Sequence, residues 1–166
     1  MRIKSCKMPS WFKRVSVVLG TVFGIGWCPV ASGTCGTLAA LILCIFLPTN
    51  SWRFLVIIIF LILISIPVSY AAEQYFGRED DGRIVIDELT GFMIAVAFIP
   101  KTGMYFAAAF ALFRLFDICK FSYIKKSQRL PYGIGVVTDD VLAGLASNLI
   151  LQITRLILKY IIQLMH

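Results

Sequence analysis

The sequence holds a single histidine, His166, and it is the last residue. Ser-His-Asp hydrolysis and histidine-dependent phosphatidic-acid-type phosphatase chemistry both need an imidazole beside the reacting group, so both are excluded. No Cys is followed six positions later by Arg, no Asp-x-Asp-x-Thr occurs, and no Gly-Lys-Ser/Thr ends a Gly-rich loop. These absences remove the cysteine-based phosphatase loop, the aspartyl-phosphate route and the Walker A loop. The five cysteines, Cys6, Cys28, Cys35, Cys44 and Cys119, show no CxxC spacing and most sit in apolar surroundings, which predicts reduced thiols and no disulfide framework. Charge is also scarce: only 15% of residues are Asp, Glu, Lys or Arg.

What is present is apolar. Hydrophobic residues make up 59% of the 166 and Phe occurs 13 times; the mean hydropathy is +0.86. That composition predicts a single membrane-embedded domain, residues 1–166, with the bilayer as its medium. The net charge of +7 points to anionic lipid headgroups and not to nucleic acid, because the basic residues (Arg2 to Arg14, Lys120 to Arg129, Arg155 to Lys159) flank apolar segments. The basic start followed by Val15 to Phe23 has the layout of a secretory signal, but Val30-Ala31 is a poor cleavage site, and the segment is read as part of the fold.

The fold class expected is all-α, a compact helical membrane protein with short, partly re-entrant helices and one clear transmembrane span. Phe54 to Ala72 is that span, uncharged and long enough to cross roughly 30 Å of hydrocarbon. Gly36 to Leu47 and Leu89 to Ile99 would rise only about 16 to 18 Å as helices. Pro100-Lys101-Thr102-Gly103 is turn chemistry and predicts a hairpin between Leu89 and Phe116. The final segment, Val141 to Ile162, carries Arg155 and Lys159 on one face and is compatible with a tilted, snorkelling or interfacial helix. The positive-inside rule places the N-terminus, the Arg78 to Arg83 loop and the Lys120 to Arg129 loop on the cytoplasmic side, with Pro48 to Ser51 and Pro100 to Gly103 facing away.

Five of the nine acids fall in three places at the edges of these apolar runs: Asp87-Glu88, Asp117 and Asp139-Asp140. Ionised carboxylates there are costly unless partnered, and they commonly mark an ion path, proton relay or metal site. Plainer readings exist for each. Asp87 suits a helix N-cap, Asp139-Asp140 suits a first helical turn capped by Thr138, and Asp117 suits an ion pair with Arg114 three residues earlier. A hairpin, however, returns Asp117 to the side of Asp87-Glu88, and with Arg114 and Lys120 nearby the mixture suggests a phosphate held between a metal and cations. Gly26 to Thr37 adds a Gly- and hydroxyl-rich loop running into a helix, able either to cradle an anion or to pack tightly. Metal-activated water is the phosphatase chemistry left. A small cation transporter or channel is the competing class, although acids at segment edges beside basic residues disfavour it.

Four segments, in order, make the chain resemble the phosphatidylglycerophosphatase A family. Ala31-Ser32-Gly33-Thr34-Cys35-Gly36-Thr37 is similar to the family's Ala-Pro-Gly-Thr-x-Gly-Ser/Thr, and Ile84-Val85-Ile86-Asp87-Glu88-Leu89-Thr90-Gly91 to its Ile-Val-x-Asp-Glu-x-x-Gly. Phe113-Arg114-Leu115-Phe116-Asp117-Ile118-Cys119-Lys120 is similar to Phe-Arg-x-Phe-Asp-x-x-Lys, and Gly133 to Gly144 to Gly-x-Gly-Ile-Met-x-Asp-Asp-x-x-Ala-Gly. Ser32 replaces a usual Pro, and Phe121-Ser122 a Pro-containing pair, which frees two loops from a fixed φ. The resemblance implies a Mg²⁺-dependent enzyme of the bacterial inner membrane that hydrolyses phosphatidylglycerophosphate to phosphatidylglycerol and phosphate on the cytoplasmic face; a phosphatase for another lipid phosphate is the alternative enzyme. It implies Asp87, Glu88, Asp117, Asp139 and Asp140 as metal ligands and catalytic groups, with Glu88 a ligand or base. Gly33, Thr34, Arg114 and Lys120 would hold phosphate.

Overall fold

The computed structural model describes residues 8–119 and 134–165, and every regular element among them is helical. Six α-helices follow in order: α1 Ser10–Gly20, α2 Ser32–Phe46, α3 Trp52–Phe76, α4 Ile86–Ala95, α5 Gly103–Cys119 and α6 Ile134–Leu164, with a single 3₁₀ turn at Ile25–Trp27. Lys120 and Gly133, with the basic loop between them, lie outside the described residues, as do residues 1–7 and His166.

α3 and α6 are each long and apolar enough to cross a membrane. The 25 residues of α3 rise about 37 Å, and the helix runs through Pro67 to stop at Gly77, whose φ of 71° favours glycine. Sequence patterning gave one clear span; the second emerges because α6 starts at Ile134, not near Val141, and continues for 31 residues. Acids at one end and Arg155 further along interrupt its apolar run, which is why it reads ambiguously. Leu156, Ile157, Tyr160 and Ile161 on its outer half are all exposed.

α4 is the opposite case. Its ten residues rise about 15 Å, too little to cross, and almost all of them are buried. Its C-terminal carbonyls therefore need partners away from water, and α6 supplies them. Asn148 Nδ2 donates to Ala95 O (3.0 Å) and Ala97 O (2.8 Å), Gln152 Nε2 to Ala97 O and Phe98 O (both 3.3 Å), and Arg155 Nη1 to Phe98 O (3.0 Å). Arg155 thus caps the turn that follows α4. Residues 96–102 then reverse the chain into α5, forming the expected hairpin. Its tip meets the turn before α3: Phe98 N donates to Thr49 O (3.0 Å) and Lys101 Nζ to Ile45 O (3.0 Å).

The core gathers on α4. Phe92, Met93 and Ile94 pack with Phe54 and Ile58 of α3, Phe106 and Phe113 of α5, and Leu151 of α6. The Phe92 and Phe113 rings meet edge to face at 6.1 Å, a favoured aromatic geometry. Two glycines let α4 and α6 cross almost backbone to backbone: a methyl at Gly144 would lie 2.2 Å from Gly91 O, and one at Gly91 2.6 Å from Asp140 O. That crossing fixes the first turn of α4 against the acids of α6.

Candidate functional site

The N-terminal turn of α4 begins after Val85, whose amide donates to Gly20 O (2.8 Å). Asp87 and Glu88 occupy that turn, so Asp87 is inside the helix and not its cap; its Oδ1 accepts from the Glu88 amide (3.2 Å). Asp139 and Asp140 lie in the second turn of α6, and Thr138 donates to Ile134 O (2.7 Å) instead of capping the helix. The first-turn arrangement expected for these pairs does not describe Asp139-Asp140. Both acids are buried, at 5% exposure each, and Asp87 at 2%.

Carboxylate oxygens of Asp87, Glu88 and Asp140 all lie within 4.8 Å of one another. Together with Asp117 and Asp139 they line one cavity of about 60 Å³. Burial raises the Asp87 carboxyl above the usual carboxylate range; burial and then the neighbouring Asp87 raise Glu88 well above it. Low dielectric and like charge both penalise the ionised form, so the group needs protons or a cation. Glu88 Oε2 is buried with no hydrogen-bond partner, a costly condition for a carboxylate oxygen unless something positive joins it. An all-oxygen set of carboxylates at this spacing suits a hard divalent cation.

The cationic side of the site comes from α5. Arg114 Nη1 donates to Asp117 Oδ2, so the intrahelical ion pair is real and Asp117 lines the cavity with one oxygen already engaged. Arg114 Nε is buried without a partner. Gly33 fits between the two charges: a methyl there would lie 2.6 Å from Glu88 Oε1 and 3.1 Å from Arg114 Nη1. Ala31, with φ of 53°, starts α2 and its carbonyl takes the amides of Thr34 (2.8 Å) and Cys35 (3.1 Å). The Thr34 amide is thus occupied, which narrows the anion cradle read from this loop to the turn's earlier residues. Lys120, expected beside phosphate, falls outside the described residues.

Two further acids line the cavity, Asp80 and Asp81 of the α3–α4 loop. Sequence reading used this loop only for its arginines, although Glu79-Asp80-Asp81 is the chain's longest acidic run and was the available signal. Asp81 is gripped by Arg83, Nε to Oδ1 and Nη2 to Oδ2 both at 2.8 Å, and this guanidinium holds its carboxyl below the usual range. Asp80 adopts φ of 53° with its amide donating to Glu73 Oε1 (2.8 Å). The loop is docked on the α2 side by Ser32 Oγ, which donates to Gly82 O.

A family model for phosphatidylglycerophosphatase A matches residues 18–155. The chain is 36% identical over 158 residues to a Bacteroides thetaiotaomicron protein named provisionally as a phosphatidylinositol-3-phosphatase, covering 90% of this chain and 97% of that one. It is 34% identical to phosphatidylglycerophosphatase A of Escherichia coli (78% and 77% covered) and 36% identical to that of Haemophilus influenzae (77% and 81% covered). No solved structure matches significantly.

Proposed function

The chain belongs to the phosphatidylglycerophosphatase A family, and from that premise we propose that it is a Mg²⁺-dependent enzyme hydrolysing phosphatidylglycerophosphate to phosphatidylglycerol and phosphate. The observation that carries the reading is the buried Asp87–Glu88–Asp140 cluster with its unpartnered Glu88 oxygen, set against Arg114. These three acids would hold Mg²⁺, with Asp139 beside them. Bound there, the ion supplies an acidified water and neutralises charge on the phosphoryl group.

The protein's own groups do the rest. Arg114, aimed by its bond to Asp117, offers its remaining N–H groups to phosphate oxygens. Glu88, whose Oε2 is buried without a hydrogen-bond partner, would serve as a ligand or as the base that orients the attacking water. Gly33 leaves room for both side chains, since a methyl there would meet Glu88 Oε1 and Arg114 Nη1. α3 and α6 would anchor the molecule in the bacterial inner membrane with the acid cavity toward the cytoplasm, beside the Arg78 to Arg83 loop, whose arginines the positive-inside rule places there. A cation transporter would instead place its acids mid-span, whereas this cavity lies at one end of α3, beyond Phe76.

A second reading, a phosphatidylinositol 3-phosphate phosphatase, is favoured by the name of the Bacteroides relative. Both lipids carry a phosphomonoester on a polyol that is itself joined to the lipid by a phosphodiester. Phosphate release from each lipid by the purified protein, with Mg²⁺ or EDTA, separates them. The reading expects Mg²⁺-dependent release that Asp87→Asn and Asp140→Asn abolish in protein that stays folded; no release from either lipid discards it.

A further inference from the structure

Beside the acid cavity lies a larger groove of about 400 Å³ whose walls include Trp27, Ser32, Arg78, Asp81, Gly82 and Arg83. Asp81 and Gly82 line both spaces, so the cation-seeking chamber and the groove that carries two arginines share a wall. We propose that this groove is the subsite for the inner phosphodiester of the substrate, and that it makes the enzyme select lipid phosphates carrying a phosphodiester next to the phosphomonoester. The proposal rests on the lipid phosphatase reading and adds its specificity determinant.

Arg83 is built into position. Its guanidinium carbon sits 3.8 Å from the Phe76 ring centroid and 5.0 Å from that of Trp27, and those rings meet edge to face at 6.1 Å. Its backbone carbonyl presses on Gly26 so closely that a methyl there would lie 1.9 Å away. Asp81 takes Nε and Nη2, which leaves Nη1 for another anion. Arg78 forms no direct ion pair among the described residues; it acts on Asp81 only through space, so its guanidinium N–H groups are not held by a carboxylate. A planar guanidinium held by two rings and a carboxylate has its remaining Nη1 donor preorganised for a second anion.

Two spaces that share a wall are the arrangement that a headgroup with two phosphates one glycerol apart calls for. The terminal phosphomonoester meets the acids' cation and Arg114, while the phosphodiester meets Arg78 and Nη1 of Arg83. Phosphatidic acid has no phosphodiester and leaves both arginines unused, so it forgoes that binding energy in the transition state.

The test compares kcat/KM on phosphatidylglycerophosphate and on phosphatidic acid of the same acyl chains, in detergent micelles with Mg²⁺, for wild type and Arg78→Gln. Wild type should favour the first lipid, and Arg78→Gln should lower the ratio of the two kcat/KM values roughly ten- to a hundredfold, the worth of one charge-assisted contact. Arg78→Lys should retain most of the ratio. Arg83→Gln, if it folds, should lower it further. An unchanged ratio in Arg78→Gln, including a parallel loss on both lipids such as general headgroup binding would give, overturns the proposal. Equal wild-type rates on both lipids also overturn it while leaving the phosphatase reading intact; no release from either lipid sinks the phosphatase reading itself.

Discussion

Glu88 is the residue on which the site turns, because its carboxylate lies within 4.8 Å of those of Asp87 and Asp140 and, with Arg114, bounds the space in front of Gly33. Gly33→Ala is therefore an informative single substitution. The added methyl meets the end of a flexible side chain and not backbone, so the fold should tolerate it while Glu88 is displaced. Turnover should fall at least about tenfold, equivalent to roughly 1.4 kcal/mol of transition-state binding, with a melting temperature within a few degrees of wild type. A variant as active as wild type would show that Glu88 position is unimportant. The same carboxyls give a pH dependence. Unfolded carboxylates titrate near about 4, whereas burial raises Asp87 and Glu88 in the fold. The unfolded chain then binds fewer protons across that window, so the cation-free protein loses stability as pH climbs from the unfolded values through the folded ones. Mg²⁺ displaces those protons, and its stabilisation should be larger at neutral pH than in mild acid. Thermal melts with Mg²⁺ or EDTA across pH read this directly. Glu88→Gln should raise the melting temperature of the EDTA-treated protein, by roughly 2–4 °C per kcal/mol relieved, and should shrink the Mg²⁺ increment.

At the level of elements, the acids meet because α4 is short and tightly held. Gly91 and Gly144 set its crossing with α6, and Asn148 satisfies its last carbonyls. Gly144→Ala drives a methyl into the backbone of α4 and cannot be absorbed by a rotamer change, so we expect a cost of about 1–3 kcal/mol together with loss of activity as Asp140 moves off Glu88. Asn148→Leu leaves Ala95 O and Ala97 O without that donor, which costs about 1–3 kcal/mol but sits at the far end of α4. It should lower the melting temperature while phosphate release below the transition stays near wild type. If both variants lost activity and stability in the same proportion, the crossing would have no special role in placing the acids. The hairpin itself was legible, since Pro100 and Gly103 announce a reversal in any apolar run. The partners of its buried carbonyls were not, because Asn148, Gln152 and Arg155 are distant in sequence and their reach depends on the helix crossing. The two glycines stood within recognised segments, yet close approach can be read only when both helices are in place.

For the whole molecule, the sequence told which ends belong together. Asp87, Glu88, Asp117, Asp139 and Asp140 reach one cavity at the end of α3 marked by Phe76, and the turns at residues 47–51 and 96–102 meet at the other end. It did not reveal that Asp80 and Asp81 join the cavity, since a charged loop between helices looks like a solvated connection until its docking by Ser32 and Arg83 is seen. This two-ended layout has a direct consequence if α3 spans the bilayer: exposed Cys119 and exposed Asn50 lie on opposite faces. A membrane-impermeant maleimide should label Cys119 in inverted inner-membrane vesicles and not in intact spheroplasts. With the native cysteines changed to serine, Asn50→Cys should show the reverse. A shared side for the two positions would mean that α3 does not cross, and the acid chamber would then have no fixed relation to the cytoplasmic leaflet. Opposite labelling with Cys119 reached only from outside would keep the fold and invert the enzyme, since the same helices would then present the acid chamber to the outer leaflet and to a different pool of lipid.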